Sequence, residues 1–384
     1  MGSGSVETVR RTYKEKLRPT PAQARALDAV LWRCRTLYNV ALEQRITAWQ
    51  RCRASISRFA QEAELKDIRT ELPDYAAIHS HLLQDVLARL DKTYQAFFRR
   101  LQQGEKAGFP RFKGRNRYRS FTFKEYGNGA RLDNGYLVLS KIGRIKVQWS
   151  RPIEGTPKTV TISREADGWY VAISCAEVPV HPLPPTGQET GIDLGLEAFA
   201  RLADGTVIHN PRHSRRAERY LAKCQRRVSR RVRGSHRRRK AVAVLARAHQ
   251  HVQRQRRDFH HKTALVLVQQ DDTLYHEALQ IANLVQNHHL AKSISDAGWS
   301  GFLTILSLSF PSRLQVPVGK CLRWTPPSRA KRAPAVACWC RRDSLCGGIS
   351  VPPVGRACTG ITTRPGTSNG AGSAFGDSRG CLRG

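Results

Sequence analysis

Apolar residues recur at every third or fourth position in two segments near the start of the chain, which is the spacing of amphipathic helices. Thr20 and Pro21 stand where an N-cap and a first helical residue belong, and Gly104 and Gly108 interrupt the second segment. We therefore predict a helical lobe over residues 20–103. The recurring apolar positions are Ala24, Leu27, Val30, Leu31, Cys34, Leu37, Tyr38, Leu42, Ile78, Leu82, Leu83, Val86, Leu87, Leu90, Tyr94, Phe97 and Phe98.

The pattern changes to alternation on either side of that lobe. A short strand is predicted at residues 9–17, and further alternating runs follow at residues 136–139, 145–147, 159–162 and 169–173. Short strands separated by regularly spaced turns favour a small β-barrel or sandwich. We assign residues 6–19 and 104–178 to this β domain and the proline-rich residues 179–190 to a linker.

A third region, residues 191–306, mixes strands and helices. Three short strands begin at residues 191–195 (GIDLG), a long helical region covers residues 212–270, and a fourth strand at residues 272–276 ends at Glu277. After residue 306 the apolar periodicity disappears. The predicted fold class is therefore a multidomain α+β protein with a helical lobe, a small β-barrel and an α/β domain, followed by an irregular, poorly packed tail over residues 307–384.

Lysine and arginine outnumber aspartate and glutamate by 65 to 30, which gives a net charge of +35. This excess is larger than solubility requires and indicates a polyanionic partner. Membrane surfaces are also anionic, but we find neither an apolar run of about 18 residues nor a signal peptide. We therefore expect a soluble, cytoplasmic, prokaryotic protein that binds nucleic acid. Its scattered cysteines are expected to be free thiols, namely Cys34, Cys52, Cys175 and Cys224.

Aromatic residues and cations alternate between residues 108 and 123. Such a segment suits base stacking combined with phosphate pairing, but it equally suits core aromatics flanked by solvated cations. Arginine runs in the helical region have the same two interpretations, and their density favours a phosphate-binding surface. The candidate nucleic-acid-binding residues are Arg18, Arg111, Lys113, Tyr118, Arg226, Arg227, Arg230, Arg231, Arg237, Arg238, Arg239 and Lys240.

Two acidic residues occupy predicted strand positions in the third region. Asp193 lies inside or at the end of the first strand, where a buried carboxylate is costly unless a cation binds it, and Mg²⁺ is the simplest candidate. Glu277 by itself is more typical of a surface or capping residue. In a ribonuclease-H-like sheet, however, the fourth strand lies beside the first, so the two carboxylates would meet and share divalent ions.

Six motifs occur in a fixed order: LRPTPAQ (17–23), LYNVAL (37–42), LDKTYQAFFRR (90–100), GFPRFK (108–113), GIDLG (191–195) and HEAL (276–279). This set resembles the TnpB (OrfB-type) proteins of bacterial insertion sequences, which are relatives of the type V CRISPR effector nucleases. The resemblance covers roughly residues 9–306. It implies a wedge domain, a helical recognition lobe and a RuvC-type domain that cuts DNA at sites chosen by a guide RNA. It also implies that Asp193 and Glu277 are the first two Mg²⁺-binding acids.

Two further motifs of that family, a four-cysteine zinc ribbon and an Asp-x-Asn-Ala-Ala-type segment with the third acid, have no counterpart after residue 306. Asp343 and Asp377 are the acids of the tail, and its cysteines lack the Cys-x-x-Cys spacing, so we do not expect zinc binding. The composition resembles a GC-rich gene read in another frame. We hypothesise a frameshift near residue 306. The tail cysteines are Cys321, Cys338, Cys340, Cys346, Cys358 and Cys381.

The sequence thus predicts a transposase-family, RNA-guided, Mg²⁺-dependent DNA endonuclease whose cleavage is impaired by its altered C-terminal segment. Its expected partners are DNA and a guide RNA, and the oligomeric state is left open. The alternative is a non-catalytic RNA- or DNA-binding protein of the same origin. A ribosomal or chromatin-type basic protein would share the charge but not the six ordered motifs.

Overall fold

A computed structural model describes residues 7–115, 117–180, 183–277 and 279–309, with backbone alone for residues 309, 323 and 324. Helix α1 begins as predicted: the backbone N–H of Gln23 donates to Thr20 Oγ1 (3.3 Å), and that of Thr20 donates to Gln23 Oε1 (2.9 Å). Helices α2 to α4 are too short to show a helical period in the sequence. The first elements are β1 (Thr8–Arg18), α1 (Pro21–Cys52), α2 (Arg58–Ala63), α3 (Leu65–Glu71), α4 (Pro73–Ala76) and α5 (Ser80–Gln102).

Seven strands form a barrel-like sheet around β1, as the alternating pattern predicts. Their order is β2-β6-β7-β1-β5-β4-β3, and all neighbouring pairs are antiparallel. The edge strands β2 and β3 are consecutive along the chain, and the sheet is nearly closed. The remaining strands are β2 (Ser120–Phe123), β3 (Ala130–Asp133), β4 (Tyr136–Leu139), β5 (Gly143–Gln148), β6 (Thr156–Glu165) and β7 (Gly168–Pro179).

Helices α1 and α5 pack on this barrel and share its apolar core. Leu42 of α1 and Leu83 of α5 are fully buried in the same cluster as Phe121, Ile145 and Val171 of the barrel. The apolar face of each helix is therefore covered by sheet residues, which removes it from water. The division of residues 6–178 into two functional lobes stays a prediction.

A second, mixed sheet has the order β10-β9-β8-β11-β12 and its own apolar core. β8 pairs in parallel with β11, and antiparallel with β9. Phe199, Leu267 and Phe302 are buried where helices cover the sheet. The elements are β8 (Glu189–Asp193), β9 (Ala198–Leu202), β10 (Val207–His209), α6 (His213–Ser229), α7 (His236–Gln270), β11 (Thr273–Glu277), α8 (Ile281–Leu284), α9 (His288–Ala297), α10 (Trp299–Ser309) and β12 (Arg323–Trp324).

The end of this region differs from the sequence prediction. The short helix α8 follows β11, and the sequence pattern did not predict the helices α9 and α10. Helix α10 buries Trp299, Phe302 and Leu306, at helical spacing, in the second core. Apart from the end of α10 and residues 323–324, the tail lies outside the described residues. No helix in the described ranges has the length and apolarity needed to cross a bilayer.

A charged network joins the barrel to helix α7. Glu165 and Asp167 lie at the turn between β6 and β7, and both accept hydrogen bonds from Gln250 and Arg254 at 2.7 to 3.1 Å. We name these four residues the acid latch. Its two carboxylate side chains are 24% and 20% exposed, so solvent screens them less than ordinary surface ions. The acid latch therefore fixes the middle of the arginine-rich helix α7 to the barrel.

The barrel supplies further partners to the same carboxylates. Lys14 contacts Glu165, Lys16 Nζ lies 3.0 Å from Asp167 Oδ2, and Tyr170 Oη donates to Asp167 at 2.8 Å. Burial opposes ionisation of Asp167, but the hydrogen bonds of the acid latch and of its barrel partners outweigh burial. Together they hold the pKa of the Asp167 carboxyl well below its ordinary value.

We expect Asp167→Asn to lower the free energy of unfolding by about 2 kcal/mol at neutral pH, the range of a hydrogen bond to a charged group. Because the pKa of Asp167 is lower in the folded than in the unfolded chain, this stabilisation is complete above about pH 5 and is lost as pH falls through the carboxyl range. Urea unfolding at pH 7 and pH 3 measures the difference in the free energy of unfolding between Asp167→Asn and the unmodified chain. This difference should be smaller at pH 3.

Asp133→Asn is the control, because Asp133 is more exposed and makes a single ion pair, to Arg144 at 3.4 Å. Such surface pairs contribute about 0 to 1 kcal/mol, so this variant should unfold nearly as the unmodified chain does at both pH values. An effect of Asp167→Asn that is equally large at pH 7 and pH 3 would contradict a latch based on charge.

Candidate functional site

The candidate carboxylates lie at the ends of two neighbouring parallel strands. Asp193 is the last residue of β8 and Glu277 the last residue of β11. Ile192 pairs with His276 in the parallel register, so the next step along both strands brings Asp193 and Glu277 side by side. Adjacent strands are about 4.8 Å apart, and residues in register point to the same face.

That face differs from the one that packs on the helices. Ile192 and Leu274 are buried in the second core, and the alternating residues Asp193 and Glu277 belong to the opposite face. Asp193 is exposed and Glu277 is half-buried. The expectation of a buried carboxylate at Asp193 is therefore wrong, because Asp193 is the last residue of its strand and solvent reaches it there.

Neither carboxylate has a hydrogen-bond or ion-pair partner within the described part of the chain. The backbone around Glu277 is held by a turn in which Leu279 N donates to the Glu277 carbonyl at 2.9 Å. The turn fixes the position of the strand end and leaves the side chain free. Two unpaired carboxylates side by side are oxygen donors of the type that hard divalent cations prefer.

The described residues contain no group of three or more His, Cys, Asp or Glu side chains placed to hold a metal ion. Asp193 and Glu277 thus match the chemistry of a divalent cation but supply only part of a ligand set. Asp343, Asp377 and the tail cysteines, on which the expectations about the third acid and zinc depend, lie outside the described residues.

Helices α6 and α7 form a basic hairpin, which we define as residues 226–240. Of the eight predicted cations in it, Arg238 is half-buried and donates to the carbonyls of Val228 and Arg231, both at 2.9 Å. Arg238 therefore closes the turn of the hairpin. The other seven are exposed and form no ion pair with any described acid: Arg226, Arg227, Arg230, Arg231, Arg237, Arg239 and Lys240.

Three predicted cations lie on the barrel and the loop after α5. Arg18 is exposed and donates to Gln148 Oε1 at 2.9 and 3.3 Å, and Arg111 is also exposed. The backbone of Lys113 is paired with the side chain of Asn39, with distances of 2.8 and 3.1 Å. These contacts hold the loop in place while the cationic groups of Arg18 and Arg111 remain accessible.

Tyr118 does not have the exposed face that base stacking requires. It is 7% exposed and its ring packs 6.2 Å from that of Tyr38, while Phe121 and Phe123 are fully buried. For these three aromatic residues the core interpretation is correct. The exposed rings of the segment are Phe109 and Phe112.

Asp296 is a buried capping residue that the sequence pattern did not identify. It is buried and accepts the backbone N–H groups of Ser214 (2.8 Å) and Arg215 (3.1 Å), so it caps the first turn of α6. The partners are about 80 positions away along the chain, so no local signal exists. It lines a cavity of about 300 Å³, whose other residues are Leu196, Glu197, Asn210, Arg212, Arg215 and Ser293.

Two family models match the chain. The IS605-type OrfB model, described as "Probable transposase", matches residues 172–288, and a model described as "Helix-turn-helix domain" matches residues 8–53. Residues 8–53 contain one strand and one continuous helix, so the second description does not fit the local structure. The first match includes both β8 and β11, and therefore both candidate carboxylates.

The chain is 36% identical over 308 residues to a "Putative RNA-guided DNA endonuclease" of Streptomyces pristinaespiralis, covering 78% of this chain and 75% of that protein. It is 28% identical over 306 residues to "Putative RNA-guided DNA endonuclease InsQ" of Escherichia coli (strain K12), covering 75% and 74%. In the solved "Cryo-EM structure of the Cas12f1-sgRNA-target DNA complex", one chain matches 79% of this chain and 88% of its own length, at 9% identity and a TM-score of 0.47. The identity to the Streptomyces protein over three quarters of both chains, together with the OrfB match, shows that this chain belongs to the TnpB (OrfB-type) family.

Proposed function

We propose that the chain is a transposon-associated, nucleic-acid-binding protein of the RNA-guided DNA endonuclease type. The proposed partners are a guide RNA and DNA, bound through the basic hairpin and the barrel. Residues 191–306 are proposed to be a RuvC-like nuclease domain in which Asp193 and Glu277 hold Mg²⁺. Cleavage is proposed to be impaired, because the sequence after residue 306 contains neither a Cys-x-x-Cys pair nor an Asp-x-Asn segment.

One observation carries this proposal. Asp193 and Glu277 end adjacent parallel strands on one face of the sheet, and neither has a partner among the described residues. In a chain of net charge +35, other carboxylates such as Asp167 find lysine or arginine partners. Two adjacent carboxylates without such partners repel each other, and a bound divalent cation removes the repulsion.

The strand order also supports the assignment of the domain. β8, β9 and β10 form an antiparallel meander, and the next strand, β11, returns through the helices α6 and α7 to lie in parallel beside β8. This is the arrangement expected of a ribonuclease-H-like sheet. It brings together two residues that are far apart in the sequence.

When bound, divalent ions would supply the chemistry of such a site, namely activation of a water molecule and stabilisation of the leaving oxygen of a phosphodiester. Asp193 and Glu277 would hold and orient the ions, and the basic hairpin would bind the phosphates of the polynucleotide. Mg²⁺ demands nearly octahedral coordination by oxygen, and two carboxylates supply a minority of the ligands. The missing third acid is the reason that we expect weak cleavage.

The alternative function is binding of RNA or DNA without cleavage. It is favoured by the lack of a three-residue metal site in the described residues. The cations of the basic hairpin require no metal, so this function survives the loss of every metal ligand.

The frameshift hypothesis allows a direct test of the proposed catalytic role. The alternate frame of the gene after codon 306 should encode paired Cys-x-x-Cys motifs and an Asp-x-Asn segment. A chain that carries this segment, with cognate guide RNA and Mg²⁺, should cleave plasmid DNA. Asp193→Asn or Glu277→Gln should each reduce the cleavage rate at least about a hundredfold, because even changes to residues that only contact a metal ligand reach that size.

Glu189→Gln is the matched control, because Glu189 is exposed at the other end of β8 and accepts a hydrogen bond from Tyr275 at 2.8 Å. Cleavage by this variant should be nearly unchanged. Cleavage that survives Asp193→Asn would exclude Asp193 from the mechanism, and a restored chain that binds DNA without cutting it would favour the alternative function.

Replacing Arg230 and Arg231 with glutamine should weaken binding of duplex DNA and reduce its dependence on salt. Each phosphate contact contributes about 0.9 to the slope of log K against log salt concentration, so the slope should become about 2 smaller in magnitude. Fluorescence anisotropy between about 50 and 200 mM NaCl gives the slope.

Lys262→Gln is the control for this measurement. Lys262 is exposed on α7, the helix that follows these two arginines, but it is paired with Asp258 at 2.8 Å, so its loss should leave the slope unchanged. Equal slopes for the Arg230/Arg231 variant and the unmodified chain would exclude these arginines from the phosphate-binding surface.

A further inference from the structure

A cluster of aromatic rings lies outside the apolar core at the end of helix α5. We name Tyr94, Phe97, Phe98, Phe109 and Phe112 the aromatic platform. Phe98, Phe109 and Phe112 are 54%, 49% and 52% exposed, although rings of this size usually lose most of their surface on folding. These three rings therefore leave about half of their surface open to solvent.

The rings of α5 and the following loop hold one another in place. Phe109 meets Phe97 and Tyr94 edge-on, with centroid distances of 5.4 and 5.9 Å. Phe98 lies 5.3 Å from Phe97 and is stacked at 6.2 Å on Tyr94. These are the edge-to-face and offset geometries that aromatic pairs prefer, so the platform has a defined shape.

The loop that carries Phe109 and Phe112 is anchored at two points. Pro110 is buried, and the Asn39 side chain both accepts from Lys113 N (2.8 Å) and donates to the Lys113 carbonyl (3.1 Å). Phe112 lies between these anchors and takes part in no ring contact with another described residue. Its exposed face is therefore presented by a fixed backbone.

The segment that carries the platform is rich in exposed cations. Residues 99–117 contain one acid, Glu105, which lies 3.8 Å from Arg100. The cations of the same segment are exposed or half-buried: Arg99, Arg100, Lys106, Arg111, Lys113, Arg115 and Arg117. The electrostatic complement of this surface is a polyanion that also offers flat apolar faces.

We propose that the aromatic platform stacks on unpaired bases of a polynucleotide while the cations of that segment bind its phosphates. Only bases outside a duplex expose their faces to such rings. Contact with a second copy of the chain would bring two positive surfaces together, which charge repulsion opposes. The inference rests on the nucleic-acid binding proposed above and adds a preference for single strands.

The test uses the full chain and labelled probes of about 20 nucleotides: single-stranded RNA, single-stranded DNA and a duplex of the same sequence. Phe98→Leu and Phe112→Leu keep an apolar side chain but remove the flat face. Each should weaken binding of single strands about tenfold and change duplex binding less than about twofold. The single-stranded probe that loses affinity identifies RNA or DNA as the ligand of the platform.

Phe59→Leu is the matched control. Phe59 is 71% exposed and has an arginine over its ring, Arg58 at 4.7 Å, but makes no ring contact with the platform. The Phe59→Leu variant should bind every probe with the affinity of the unmodified chain. If Phe98→Leu fails to fold by circular dichroism, Phe112→Leu alone decides the question, because Phe112 is not part of the ring packing.

Three results would overturn the inference. The first is unchanged single-strand affinity in the ring variants, and the second is an equal loss of single-strand and duplex affinity. A dimer of the unmodified chain that becomes monomeric in the ring variants, with single-strand affinity intact, would make the platform an interface between copies. Failure of the unmodified chain to bind any probe would overturn the proposed function itself, whereas the other results leave that function standing.

Discussion

The parallel pairing of β8 with β11 is the constraint on which the candidate site depends. Parallel neighbours cannot be joined by a tight turn and need a long crossover. Here the connection contains α6 and α7, and these two helices carry the basic hairpin. The segment that allows Asp193 and Glu277 to meet therefore also supplies the cations proposed to bind phosphate, so the proposed metal ligands and the proposed phosphate-binding cations belong to one topological unit.

Charge pairing differs between two pairs of neighbouring acids in this chain. Glu165 and Asp167 are paired within the protein. Their donors are Gln250 and Arg254 of α7 and two lysines of β1. Asp193 and Glu277 remain unpaired within the described residues, and we interpret this difference as the mark of an external cation. The acid latch contributes in another way: it ties α7 to the barrel between the basic hairpin at its start and the strand β11 that follows its end.

Local signals in the sequence predicted the elements that local interactions stabilise. The Thr20 capping box, the alternating strands of the barrel and the two strands that end at Asp193 and Glu277 are of this kind. The sequence could not predict the acid latch, whose partners are 83 to 89 residues apart, or the cap that Asp296 provides to α6. Alternation of aromatic and basic residues likewise does not tell which rings face the core, and the fold buries Tyr118 and exposes Phe112.

The central claim is that Asp193 and Glu277 bind one class of divalent ion together, and Mn²⁺ binding followed by electron paramagnetic resonance tests it most directly. Asp193→Asn and Glu277→Gln should each weaken Mn²⁺ binding at least about tenfold, and the double variant should lose little more than either single variant, because residues that share a ligand are strongly coupled. Unchanged Mn²⁺ affinity in both single variants, or losses that add independently, would contradict a shared site.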